Sequence, residues 1–127
     1  MPSATTRGIQ ISVDSAYLDA HSQPERREWV FGYTVDIQNI GDSTVQLIDR
    51  HWVITDAHGR VEHVRGQGVV GRQPKILPGG AFRYTSFCPL GTSMGSMTGE
   101  YTFRAEDGSL FDATIPPFAL IDPESEN

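Results

Sequence analysis

The stretch Glu28-Trp29-Val30-Phe31-Gly32-Tyr33-Thr34-Val35-Asp36-Ile37-Gln38-Asn39 places Trp29, Phe31, Tyr33, Val35 and Ile37 at every second position. An extended chain puts all five on one side of a sheet, whereas a helix would scatter them around its circumference. Asn39-Ile40-Gly41-Asp42 then supplies turn chemistry. Upstream, Ile9, Ile11 and Val13 alternate with Gln10, Ser12 and Asp14, which predicts a second strand. Downstream, from Thr44 to Thr55, the alternation changes phase: Val45 and Leu47 are odd, Ile48, Trp52 and Ile54 even. A bulge near Ile48 or Asp49 would restore the facing, since one extra residue reverses it. Asp56-Ala57-His58-Gly59 reads as a hairpin turn into a strand from Val61 to Arg65. Further strands are predicted at Ala81 to Cys88, Tyr101 to Ala105 and Leu110 to Ile115, the last two joined through Glu106-Asp107-Gly108-Ser109.

About seven short strands with no sustained helical period predict an all-β chain, an antiparallel β-sandwich of the immunoglobulin or fibronectin type III kind. A small barrel is the alternative. Two links are long for hairpins: Gly66 to Gly80, with Pro74 and Pro78, and Pro89 to Glu100, with Gly91, Gly95 and Gly99. Both are expected to be irregular surface loops, where recognition is commonly carried.

At 127 residues the chain fits one domain spanning 1–127. It is large enough to bury roughly two-thirds of its unfolded surface without a disulfide or structural metal. A net charge of −6 is the wrong sign for a generic binder of nucleic-acid backbones or anionic membranes. The polar start Met1-Pro2-Ser3-Ala4-Thr5-Thr6-Arg7 does not resemble a signal peptide, and the longest apolar run is Phe118-Ala119-Leu120-Ile121. These features lead us to expect a cytoplasmic protein without membrane insertion, its one thiol, Cys88, kept reduced. The tail from Ser125 to Asn127 is expected to fray.

Gly66-Gln67-Gly68-Val69-Val70-Gly71 has the glycine spacing of a dinucleotide fingerprint. That site needs the turn to open a helix, whose amino terminus offers free N–H groups to phosphate. Here Pro74, Pro78, Gly79 and Gly80 follow, and no carboxylate lies between Gly71 and Glu100 to take the ribose. A different nest of N–H groups at Gly66, Gly68 and Gly71 would still suit a nucleotide pyrophosphate. Close backbone packing or positive φ is the structural explanation of the same glycines.

Gly91-Thr92-Ser93-Met94-Gly95 fits the pattern of a nucleophile elbow, yet all four histidines precede Ser93, against the order of that hydrolase class. Cys88 alternates with Phe82, Tyr84 and Ser86 and is expected on a buried strand face. His51, His58 and His63, with Asp49, Asp56 and Glu62 nearby, lack zinc-finger spacing and read first as solvated turn and strand residues, with a weak divalent-metal site on their hairpin as the alternative. No cofactor is expected. The aromatic residues at strand spacing, Trp29, Trp52, Tyr84, Tyr101 and Phe103 among them, read as core.

Taken together, Trp29-Val30-Phe31-Gly32-Tyr33-Thr34-Val35, Arg50-His51-Trp52-Val53-Ile54-Thr55, Val64-Arg65-Gly66-Gln67-Gly68-Val69-Val70-Gly71-Arg72-Gln73-Pro74 and Gly95-Ser96-Met97-Thr98-Gly99-Glu100-Tyr101 closely resemble the bacterial ApaG family and the ApaG domain of some eukaryotic F-box proteins. Phe87 stands where that pattern commonly has glycine, and Ser93 where it has proline. The resemblance implies a fibronectin type III-like sandwich. It also implies an association with cobalt resistance and magnesium efflux, an operon neighbourhood near diadenosine tetraphosphate hydrolase, and in eukaryotes a protein-interaction role. No catalytic constellation belongs to that picture, so a nonenzymatic adaptor with a protein partner is expected.

Overall fold

The computed structural model describes residues 1–126. Nine strands follow in chain order: β1 (Ser3–Thr6), β2 (Ile9–Tyr17), β3 (Trp29–Asn39), β4 (Val45–Asp56), β5 (Val61–Gln67), β6 (Lys75–Ile76), β7 (Ala81–Leu90), β8 (Met94–Arg104) and β9 (Leu110–Ile121). Short 3₁₀ turns occupy Asp19–His21, Pro24–Arg26 and Pro123–Glu126. One sheet runs β1-β2-β3-β7 and the other β5-β4-β8-β9, with β6 paired to β4 beyond the end of β5. Every pairing is antiparallel. The two sheets form a sandwich of the immunoglobulin and fibronectin type III kind, with nine strands where the sequence pattern suggested about seven.

Alternation places the core. Ile9, Ile11 and Val13 of β2 and Phe31, Tyr33, Val35 and Ile37 of β3 are buried, and Ile11 lies opposite Ile37 and Val13 opposite Val35. The facing sheet answers with Leu47 and Trp52 of β4, Tyr101 and Phe103 of β8, and Ile115 and Leu120 of β9. The phase change in β4 is a bulge, since the register against β8 shifts between Leu47 and Asp49. It turns Arg50, Trp52 and Ile54 to the inner side.

The stretch from Pro89 to Glu100 is not a long loop. Pro89 and Leu90 end β7, Met94 to Glu100 belong to β8, and only Gly91, Thr92 and Ser93 turn between them. Glycine, which stands at 95 and 99, is a weak strand former; here pairing to β4 on one side and β9 on the other holds the segment extended. Thr92 is buried in the turn, its Oγ1 accepting from Ala57 N–H (3.1 Å) and donating to the Met94 carbonyl (2.7 Å). Strand β9 also outruns the sequence expectation, passing through Pro116-Pro117. These prolines fall where the β8–β9 register shifts between Met97 and Gly99, a position that forgives their missing N–H groups.

At the carboxyl end, Trp29 Nε1 donates to Asp122 Oδ2 (3.3 Å), and Ser125 N–H and Oγ both return to the Asp122 carbonyl. Of the tail expected to fray, Asn127 lies outside the described residues.

The sandwich has unequal sides. Along one, β9 meets β1 and β2: Ser15 Oγ donates to the Ala119 carbonyl (2.9 Å) and Thr114 N–H to Thr6 Oγ1 (3.2 Å). Along the other, the edge strands β5 and β7 stand apart with hollows between them.

Candidate functional site

Tyr33, Arg50, Trp52 and Ser86 line two adjoining hollows of about 250 and 260 Å³ on the open side. The first is closed by Val69, Val70, Gly71 and Tyr84, the second by Ile54, Val64, Cys88, Pro89 and Met97 among others. One end is therefore polar and bounded by the glycine segment; the other is more apolar, with the Glu62 carboxylate also in its lining.

Arg50 organises the polar end. Its register partner on β5 is Gly66, and a Cβ there would stand 2.6–2.9 Å from the guanidinium. The missing side chain gives the arginine a passage toward the edge, where Nη1 donates to the carbonyls of Gln67 (3.0 Å) and Gly68 (2.9 Å). No ion pair to Arg50 occurs among the described residues. A guanidinium has five N–H donors, so several remain for a visitor.

The glycine segment is a tight hairpin, not a helix-opening turn. Val69 and Arg72 exchange N–H···O bonds of 2.8 and 2.9 Å around Val70 and Gly71, both at positive φ (46° and 77°). Gly68 (φ 62°) leaves no space for a side chain, because a Cβ would meet the Arg72 carbonyl oxygen. Its N–H is spent on the Ile48 carbonyl (2.7 Å). Of Gly66, Gly68 and Gly71, the first two thus have packing reasons, and the backbone donors without a partner are those of Val70 and Gly71.

A two-residue turn with both centres at positive φ suits Asn-Gly, while a β-branched residue there is strained. Val70→Asn is accordingly expected to raise stability by about 1 kcal/mol. An unchanged or lower urea midpoint would contradict this.

On the outer face of β4, β5 and β8, His51 Nδ1 meets Glu100 Oε1 at 2.7 Å, and His51 Nε2 meets His63 Nδ1 at 2.9 Å, the two rings stacked at 17°. His51 and Glu100 border an open hollow of about 420 Å³ with Asp49, Arg65, Thr102 and Asp112. The expected histidine group is thus rearranged. His51 and His63 come together, His58 stays in the hairpin turn with its N–H on Asp56 Oδ1 (2.8 Å), and the carboxylate that joins them is Glu100. Among the described residues, no group of three or more His, Cys, Asp or Glu side chains is arranged to hold a metal ion.

Ser93 lies in the turn between β7 and β8, whereas an elbow joins a strand to a helix. Cys88 is buried, its thiol pushed up to about 11 by burial and, secondarily, by the Glu62 charge. It is a wall of the apolar hollow and not a ready thiolate.

Burial also raises the phenols of Tyr33, Tyr84 and Tyr101 above their ordinary value, the last two hydrogen-bonded to each other inside the core. The folded chain therefore holds protons that the unfolded chain gives up first, and stability falls as pH rises through the ordinary values of 9.0 for the thiol and 10.0 for the phenol. The urea midpoint should be level from pH 7 to about 8.5 and drop by pH 10.5, with a slope near 1.4 kcal/mol per pH unit for each group in its window. A midpoint that stays level to pH 10.5 would refute this.

Residues 19–105 match the model of a family described as the ApaG domain. Protein ApaG of Brucella abortus strain S19 is 51% identical over 124 residues, covering 98% of this chain and 95% of the relative. Protein ApaG of Maricaulis maris is 54% identical over 116 residues, covering 91% and 89%. A Bordetella pertussis protein of known crystal structure superposes with a TM-score of 0.88 at 44% identity, over 96% of each chain.

Proposed function

The chain belongs to the ApaG domain family, and from that premise we propose that it is a nonenzymatic, cytoplasmic protein-interaction or adaptor domain. The open side of the sandwich carries this reading: two edge strands flank a part-apolar cleft whose arginine makes no ion pair among the described residues. The association with cobalt resistance and magnesium efflux that the resemblance implies then acts through a partner protein. Affinity capture with the intact chain should enrich a selective partner that the Phe87→Asp variant, altered at an exposed β7 side chain, fails to retain. Equal recovery on both chains and on an unrelated sandwich would sink the reading.

A second reading is a small-ligand protein that takes a nucleotide pyrophosphate, a divalent metal or both through the loop of Gly66, Gly68 and Gly71. The unspent N–H groups of Val70 and Gly71 beside Arg50 favour it. ATP, diadenosine tetraphosphate, magnesium or cobalt should then shift the Val70 and Gly71 amide resonances saturably. Unchanged spectra at millimolar concentrations would remove this reading.

A further inference from the structure

The free edge of β7 can be read residue by residue. On β3, Val30 turns toward β2: its carbonyl accepts from Leu18 N–H (2.9 Å) and its N–H donates to Ser22 Oγ (2.9 Å). Asn39 N–H instead reaches the Gly80 carbonyl on the β7 side (3.0 Å). Successive residues of an antiparallel strand bond to opposite sides, so the odd-numbered residues of β3 face β7. Their register partners are even-numbered: Leu90 for Trp29, Cys88 for Phe31 and Ser86 for Tyr33. The N–H and C=O groups of Ala81, Arg83, Thr85 and Phe87 consequently point to the unpaired edge. Pro89 shares that edge with no N–H to offer and caps the run, as proline does on edge strands.

This edge borders the cleft, and its electrostatics are the reverse of the whole chain's. Between positions 50 and 83 lie six of the 10 basic side chains (Arg50, Arg60, Arg65, Arg72, Lys75 and Arg83) but only two of the 16 acidic ones, Asp56 and Glu62. Of these, Arg50 lines the cleft, Arg72 lies over the Phe82 ring and Arg83 is on β7 itself, against the single carboxylate of Glu62 in the cleft wall, so a chain of net charge −6 carries a net basic band along its open side. A second copy pairing edge to edge would bring two such bands together and meet repulsion, whereas an acidic segment is attracted.

We propose that the β7 edge binds an extended acidic segment of a partner protein as an added antiparallel strand, with a hydrophobic-x-acidic core. This inference rests on the interaction-domain reading and names its ligand. Main-chain bonds to Arg83, Thr85 and Phe87 hold the segment, and alternate side chains enter the cleft. The apolar hollow lies beside Cys88 and Pro89, and the Arg50 hollow begins beside Ser86 and continues to Tyr84. An antiparallel segment therefore meets the apolar hollow first and, two residues later, sets a carboxylate against the spare N–H groups of Arg50.

The test uses the whole chain and a blocked heptapeptide, Thr-Thr-Ile-Thr-Glu-Thr-Thr, beside a version with lysine for glutamate. Hydrogen exchange and amide resonances are followed at Arg83, Thr85 and Phe87. The acidic peptide should slow exchange at these three amides and shift them saturably. The lysine version and the Arg50→Met chain should each bind at least about tenfold more weakly. Phe87→Pro, which deletes one edge donor, should abolish protection at Thr85 while the core amides of β3 stay protected, showing that the fold persists. Binding indifferent to the charge reversal, shifts confined to other edges, or no protection at these amides would overturn the proposal. Should capture still return a partner lost in Phe87→Asp, the interaction-domain reading survives that failure; should capture fail while the peptide binds, the peptide site stands without it.

Discussion

Gly99→Ala is expected to lower folding stability by at least ~3 kcal/mol and to leave much of the chain unfolded at 37 °C. Gly99 sits in β8 opposite Trp52 of β4 and Ile115 of β9. A Cβ there would overlap the His51 carbonyl oxygen and lie 3.2 Å from the Trp52 Cα. Those are main-chain atoms of the central strand β4, so no rotamer change relieves the conflict and β4 must part from β8. Gly91→Ala is the control, since nothing lies within 4 Å of its added carbon; it should change stability by less than about 0.5 kcal/mol. Urea titrations followed by circular dichroism measure both, and a Gly99→Ala midpoint close to that of Gly91→Ala would refute the argument.

Trp52→Ala is expected to cost about 3–5 kcal/mol, the range for emptying a large aromatic site. Trp52 is 3% exposed and packs against Tyr33 at 5.2 Å, Tyr101 at 6.2 Å and Phe118 at 5.9 Å between ring centroids. Tyr33 belongs to one sheet and the other two to the second, so this indole joins the layers where the open side begins. The same indole forms the floor of both hollows. Loss of stability should therefore come with loss of the near-ultraviolet aromatic signal. A loss below about 1 kcal/mol with that signal intact would show that the core does not depend on it.

The strands that sequence announced are those whose pattern is local. Trp29 to Ile37 alternate without interruption, the phase slip at Ile48 marks the bulge found between Leu47 and Asp49, and Asp56 to Gly59 form the turn their chemistry suggests. What escaped depends on neighbours distant in sequence. Met94 to Gly99 has poor intrinsic strand character and is extended because two partners flank it. Ser3–Thr6 is polar and joins a sheet only through Ile9 to Ser12. The functional region divides the same way. The glycine spacing was visible, but its reason was not, because the Arg50 guanidinium reaches Gly66 only once β4 and β5 are in register. The His51 pairing with Glu100 likewise needed β8 alongside β4, a juxtaposition that no spacing of histidines encodes.

Cys88 is the chain's single cysteine and sits in the cleft wall at 2% exposure. Alkylation of this sulfur by an added iodoacetamide must wait for the edges to breathe apart, so its rate is a clock for that motion. Anything lodged in the cleft will slow the clock, and whatever pries the layers open will speed it.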